Sequence, residues 1–527
     1  MLSKVFAAGL NGTEGFPVCV ESDLHEGLPG ITLIGYLSSA VREAADRVLT
    51  AIRNSGIRFE PRKLTVNLSP ADIRKEGCGY DLAIAVGVLR CYGYIGGEIC
   101  NSLLEDSVFI GELGLGGELR PVHGILSLAL AARNAGFQNI FVPNENALEG
   151  GAIEGINCYG VRSLNSLIDI LNGRKKLPEK AVYQDSYWSE EIEKDFSDVC
   201  GQELIKRATV IAVGGRHNIL YIGPAGTGKS MIASRIPGIM PRMTKEERLE
   251  ISKIYSVSGL LPKGQPLLAS RPFRSPHHTI TATALTGGGT IPKPGEITLA
   301  SGGVLFLDEL AEFPANTLDL LRQPMESKSV SVSRVYGSTS FPADFVLCAA
   351  TNPCKCGYYP DRNKCRCTDV QVRNYLGKIS KPILDRIDIC VETAIPDFSS
   401  LKKAGKGLES EEIRKRVEEV RQIQLERLLP YGLHFNSEMT GNELEIFCQL
   451  HHDDEEFLQK YYERKGLSAR GLNKILKVSR TIADFDGSVN IRHEHLCEAL
   501  SYRNLEEKYW GGGLGNGYRT KISAFSS

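Results

Sequence analysis

The sequence predicts an α/β protein of several domains, in which a parallel-sheet core stands between a first α/β domain and a closing set of helices. Three observations lead there. Short β-branched runs alternate with helix-period segments over most of the chain, a Gly-rich loop sits between a strand-like run and a helix, and beyond about residue 410 the helical period stands alone. In the first part, "ITLIGY", "KLTVNLSP", "SVFIGEL" and "NIFVP" read as strands, and "SSAVREAADRVLTAIRNSG" and "ILSLALAARNAGF" as helices, the latter stopping at Gly136. An acidic, aperiodic connector leads to the helix "GQELIKRATVIAVGG" and then to alternating strands and helices. The expected domains are 1–175, 198–396 and 416–510, joined by linkers at 176–197 and 397–415 and followed by a flexible Gly-rich tail at 511–527.

The 527 residues are 42% hydrophobic and 24% charged, a globular balance. A formal net charge of -1 excludes a polybasic coat for nucleic acid, so any such surface is a local patch. The start "MLSKVFAAGLNGTEGF" lacks the apolar core of a secretory signal, and no run approaches the ~18 apolar residues of a membrane span. A cytoplasmic protein with no membrane contact is expected. The 14 cysteines are mostly single and fit a reducing compartment.

"NILYIGPAGTGKSMIASRI" carries the strongest signal, G-x4-G-K-S. Gly223, Pro224, Ala225, Gly226, Thr227 and Gly228 turn backbone N–H groups onto phosphates, Lys229 reaches the β/γ oxygens, and Ser230 ligates Mg²⁺. "GGVLFLDELAEF" is an apolar strand ending in two acids. Asp308 suits the Mg²⁺ shell and Glu309 the attacking water, whereas a solvated helix start explains one acid and not two. A third strand, "DFVLCAATNP", ends in Asn352, either a turn residue or an amide that orients water at the γ-phosphate.

In this order "GPAGTGKS", "VLFLDE" and "ATNP" resemble an AAA+ ATPase. "RPFRSPHHTITATALTGGGTIPKPGEITLASGG" and "LLRQPMES" resemble its magnesium-chelatase-related branch, in detail the YifB/ComM family. "VESDLHEGLPGITLIGY", "VNLSPADIRKEGCGYDLAIAVG" and "GELGLGGELRPVHGI" extend the likeness to that family's N-terminal domain, and the resemblance implies for it the S5-like α+β fold of the Lon proteolytic domain. The resemblance makes Arg386 in "KPILDRIDI" the finger that reaches a neighbour's γ-phosphate and Arg470 in "LSARGLNKIL" the sensor arginine of the helical lid. A fixed, permanently charged guanidinium fork suits both roles, although any one arginine is more often a surface residue. A finger acting in trans implies a ring, expected to be a homo-hexamer.

Lon-type proteolysis needs a Ser nucleophile and a Lys base. Aligning the Lon segments puts Gly79 and Leu126 at those places, so the domain is expected to dock, to bind a protein partner or to help organise the ring rather than to cut a chain.

Two inserts concentrate basic residues. One carries Arg271, Arg274, His277, His278 and Lys293; the histidines lack further ligands for zinc and are as readily a structural loop. The other, "SVSVSRVYGSTSFPADF", reads as a β-hairpin turning near residues 336–338, and the resemblance to replicative helicases puts Arg334 in the pore. Single-stranded or branched DNA is the expected partner, its phosphates met by Arg334, Arg271, Arg274 and Lys293. The family likeness implies an ATP-driven DNA motor of the kind linked to natural transformation and branch migration. The alternatives are a chelatase-type machine that remodels a protein for metal insertion, and an assembly scaffold.

Finally, "TNPCKCGYYPDRNKCRC" offers four thiolates, Cys354, Cys356, Cys365 and Cys367. Structural zinc is the first reading, with free or redox thiols and an Fe–S cluster as alternatives. A closed four-thiolate site leaves no position for catalysis, so the knuckle is expected to brace the segment between Asn352 and Arg386.

Overall fold

The computed structural model describes residues 2–60, 62–183, 194–289, 292–334, 337–394 and 408–510. The N-terminal sheet is built from β1 (Leu2–Asn11), β2 (Glu14–His25), β3 (Gly30–Ile34), β4 (Lys63–Ser69), β5 (Ser107–Phe109), β6 (Asn139–Pro143) and β7 (Asn157–Val161). Its order is β3-β4-β2-β1-β5-β6-β7. β1 and β2 form a long antiparallel hairpin, while β5, β6 and β7 are parallel, as an α+β domain requires. Helices α1 (Ala44–Asn54), α2 (Asp81–Cys91) and α3 (Ile125–Asn134) cover it. α2 is apolar all round and is buried accordingly. Its one acid, Asp81, is 0% exposed and accepts two bonds from the Arg47 guanidinium, at 2.9 and 3.0 Å, and one from the Leu113 N–H. A buried carboxylate needs such full pairing.

The core begins with α4 (Glu203–Gly215), β8 (Ile219–Ile222), α5 (Lys229–Ala233) and α6 (Lys245–Ser258). It continues with β9 (Phe273–Arg274), β10 (Val304–Leu307), the hairpin β11 (Ser329–Arg334) and β12 (Gly337–Pro342), then β13 (Val346–Thr351) and β14 (Ile389–Glu392). The sheet is parallel throughout, in the order β9-β10-β13-β8-β14. The strand residues of β8, β10 and β13 are all buried, because both faces of a parallel sheet are covered and its strands read as unbroken apolar runs. This order places the C-terminal ends of β8, β10 and β13 side by side, where an α/β sheet opens for ligands.

The closing helices are α7 (Ser410–Leu428), α8 (His452–Lys465), α9 (Ala469–Phe485) and α10 (His493–Ser501). α9 lies on α4 so closely that a Cβ on Gly214 would stand 2.5 Å from the Phe485 ring. Among the described residues no helix is long and apolar enough to cross a membrane.

Some segments expected as linkers are packed. Ala181 donates to the Cys158 carbonyl, the Phe196 side chain is buried, and α7 begins at Ser410, inside the expected 397–415 connector. The remaining parts, 184–193 and 395–407, lie outside the described residues, as do the 511–527 tail and the hairpin-turn residue Tyr336. The N-terminal domain meets the core along α3 and α6. Gly124 donates to the Ser256 carbonyl at 3.1 Å, and Lys253 pairs with Glu14 at 2.9 Å.

Candidate functional site: a phosphate cradle and two remote arginines

The loop after β8 needs glycine for two reasons. Gly226 and Gly228 have φ of +77° and +84°, and a Cβ on Gly223 would stand 2.1 Å from Thr393 Oγ1. Lys229 opens α5 and is 7% exposed; its ammonium donates to the Gly223 and Pro224 carbonyls at 2.7 Å each and to Asn352 Oδ1 at 3.4 Å. Burial lowers its pKa, and the nearby Asp308 and Glu309 carboxylates oppose that shift. The amine and the strand-end amide thus share one point in the loop.

Ser230 Oγ donates to Asp308 Oδ2 at 2.6 Å, and the other Asp308 oxygen accepts from the Glu309 N–H at 2.9 Å. A hydroxyl beside a carboxylate at the end of a phosphate loop is an oxygen donor set that fits Mg²⁺. Glu309 has φ +52°, a left-handed conformation rare outside glycine, so the backbone turns sharply just where its carboxylate is presented. His278 Nδ1 lies 3.5 Å from Glu309 Oε2, and its ring packs tilted against His277, with centroids 4.0 Å apart, and meets Phe313 edge-on. Residue spacing gave no sign of this contact, which joins segments of the chain thirty-one positions apart.

Arg386 and Arg470 stand apart from this cradle. They line a cavity of about 740 Å³ to which no residue of 223–230 contributes. Arg386 donates to the Arg322 and Pro382 carbonyls at 3.1 and 2.6 Å and to Glu326 Oε1 at 2.7 Å, while Arg470 stands 4.0 Å from the same oxygen.

The expectation that Arg271 and Arg274 face DNA is corrected. Arg271 is 8% exposed and donates to the Pro241 and Gly302 carbonyls and to Glu247. Burial pulls its pKa down to about 10. Arg274 makes two 2.7 Å bonds to Glu296. Arg271 ties the insert to the core, and Arg274 ties the two ends of the insert to each other. Lys293 is exposed, whereas the side chain of Arg334 lies outside the described residues.

The four sulfurs of Cys354, Cys356, Cys365 and Cys367 lie within 4.8 Å of one another. Three of their separations are 3.3, 3.5 and 3.7 Å. Tetrahedral Zn–S bonds of ~2.3 Å would place sulfurs ~3.8 Å apart, so the set fits a zinc ion. The knuckle lies beside the phosphate loop: a Cβ on Gly357 would come into van der Waals contact with the Ala225 nitrogen, at 3.8 Å. Cys354 and Cys365 share a buried cluster with Ile383, Leu384 and Ile387, the residues around Arg386.

In the N-terminal domain, Gly79 lines a cleft and Leu126 is 0% exposed, so neither supplies a nucleophile or a base.

Comparison with known proteins finds relatives along almost the whole chain. A family model described as magnesium chelatase, subunit ChlI, matches residues 195–401; its companions, subunit ChlI of Mg-chelatase and the ChlI C-terminal region, match 20–146 and 407–503. The chain is 41% identical over 514 residues to competence protein ComM of Haemophilus influenzae, covering 96% of this chain and 98% of the relative. It is 43% identical over 506 residues to the uncharacterized protein YifB of Salmonella typhimurium, covering 96% and 97%. A Lon protease of Mycolicibacterium smegmatis is 25% identical over 175 residues, 31% of this chain and 22% of the relative.

Proposed function

Since the chain belongs to the YifB/ComM family of magnesium-chelatase-related AAA+ ATPases, we propose that it is a ring motor whose ATP sites are completed between subunits and whose work is done on DNA. The observation that carries the trans site is the separation of Arg386 and Arg470 from the cradle of Lys229, Ser230, Asp308 and Glu309. Without its arginines the site has only Lys229 and the metal to meet the charge that develops on the γ-phosphoryl group, and no guanidinium fork. A neighbouring subunit can supply them.

Within one subunit, Lys229 exchanges its two loop carbonyls for β/γ oxygens, and Glu309 polarises the attacking water while Asn352 orients it. Ser230 and Asp308 would hold Mg²⁺, which when bound screens the charge of the β- and γ-phosphates. The neighbour's Arg386 and Arg470 leave Glu326 for the γ-phosphate. Zinc on the four cysteines would stiffen the knuckle, which is otherwise rich in Gly, Pro and charge and lies beside the phosphate loop.

DNA is favoured by the β11–β12 hairpin with Arg334 at the end of its first strand, and by a relative named for competence. The N-terminal domain binds rather than cuts, because Gly79 and Leu126 carry no reactive group. A chelatase-type reading rests on the name of the matching family model, and the same experiment separates the two. ATP turnover is measured with and without forked and four-way DNA over a salt series. A DNA motor is stimulated and loses that stimulation as salt rises; no stimulation by any DNA and no salt-sensitive binding eliminates it.

A further inference from the structure

A cleft of about 500 Å³ opens between the N-terminal domain and the core. Residues 8–12 of β1 and its turn form one wall and residues 72–80 another, and Val257, Lys293 and Thr339 of the core close the mouth.

β1 is paired with β2 along its whole length, Leu2 to Asn11, but with β5 at Phe6 alone. Past Phe6 one edge of the strand has no ladder partner among the described residues, and Ala8 to Gly12 line the cleft. Main-chain donors and acceptors in a recess call for a partner. The facing wall is stripped of bulk at Gly77 and Gly79. A Cβ on Gly79 would meet nothing closer than Ile110 at 3.7 Å, which leaves room for a main chain. Beside it the Tyr80 hydroxyl, in a residue 2% exposed, lies near the Glu76 backbone without a partner at hydrogen-bonding geometry. It is a buried donor in want of an acceptor.

The lining charge decides the class of occupant. Asp72, Glu76 and Glu112 stand against Arg74 and Lys293, and Arg74 lies 3.5 Å from Glu76. With His123 also in the lining, the balance is near neutral with a slight excess of acid, which favours a neutral or basic occupant over a phosphate. Cys78 is the one thiol in the lining, and burial raises its pKa; His123 lines the same cleft.

We propose that this cleft binds an extended, neutral-to-basic polypeptide segment of a partner protein, added as a strand to β1 beyond Phe6 and left uncut. The proposal is independent of what the ring translocates. Its occupancy has a route to the motor, because Gly12 packs on Thr339 of β12 so closely that a Cβ there would stand 2.6 Å from the threonine methyl.

The test is fluorescence anisotropy of full-length protein with a short fluorescein-labelled peptide of alternating Thr and Lys. Two controls accompany it: the same peptide with proline at every Thr, which cannot donate to a strand edge, and a single-stranded oligonucleotide of equal length. The Thr–Lys peptide is expected to bind, and the proline version to bind at least about tenfold more weakly. Gly79→Phe, which fills the cleft from an unstrained position, is expected to weaken peptide binding at least about tenfold with the thermal midpoint unchanged. Tyr80→Phe, which removes only the hydroxyl, is expected to weaken it about threefold or more. Equal binding of both peptides, binding unaffected by both substitutions, cleavage of the peptide, or oligonucleotide binding that Gly79→Phe removes would each overturn the proposal.

Discussion

Arg386 and Arg470 converge on one carboxylate: Glu326 Oε1 accepts from Arg386 at 2.7 Å and lies 4.0 Å from Arg470. The first arginine follows a short helix of the core and the second opens α9 of the helical set, so a single acid gathers both onto one face.

Glu326 is half exposed, and partly solvated ion pairs contribute about 0–1 kcal/mol. Glu326→Gln is therefore expected to leave the thermal midpoint within about 2 °C of wild type and ATP turnover readily measurable. A drop of ten degrees would mean that the acid is a structural centre instead of a resting place for the arginines.

Glu309→Gln keeps the shape of the site and removes the group that polarises water. Turnover should fall by at least about a hundredfold while ATP still binds. His278→Ala leaves the carboxylate in place without its neighbour at 3.5 Å, and a smaller loss, roughly three- to tenfold in kcat at unchanged KM, is expected. Steady-state ATPase assays on both variants check this. Equal losses would make His278 a catalytic group in its own right.

How much of this was legible beforehand follows from where the information sits. Lys229 and Ser230 belong to one loop with strand and helix flanks, and Asp308 and Glu309 end an apolar run, so local pattern sufficed. Arg271 and Arg274 misled because a basic residue in a Gly/Pro-rich insert gives no sign of its partner. Glu247 and Glu296 lie more than twenty positions away, in opposite directions along the chain. The contacts of His278 with Glu309, of Gly357 with Ala225 and of Arg470 with Glu326 join remote segments, and no spacing rule reaches them. The alternation of strands and helices did indicate a parallel core. The order of its strands, which brings β8, β10 and β13 together, came only from the structure.

Metal analysis of freshly purified protein should find about one zinc per chain. Stripping it with a strong chelator, or replacing Cys354 by Ser, should lower the thermal midpoint and weaken ATP binding together, because the knuckle lies beside the phosphate loop. Zinc loss with ATP affinity unchanged would separate the knuckle from the nucleotide site.

His217 is fully buried between α4 and α9, its Nε2 2.8 Å from Thr481 Oγ1, and burial lowers its pKa to about 4. The unfolded chain takes up this proton near pH 6.5 and the folded one only near pH 4, so the stabilising contribution is complete above pH 6.5 and is lost as pH falls towards 4. By pH 5 the loss is about 2 kcal/mol. The thermal midpoint of wild type should therefore fall more steeply between pH 7 and pH 5 than that of His217→Gln, compared by scanning calorimetry. Parallel slopes would remove His217 from the account.

The central claim is that each ATP site is completed by the next subunit. Lys229→Ala abolishes the cradle but keeps Arg386; Arg386→Ala keeps the cradle but lacks the finger. Each variant alone should be nearly inactive. Mixed and allowed to assemble, they form interfaces at which an intact cradle meets an intact finger, and ATP turnover should rise well above the sum of the two separate rates. No recovery in rings shown to contain both variants would contradict a site shared between subunits.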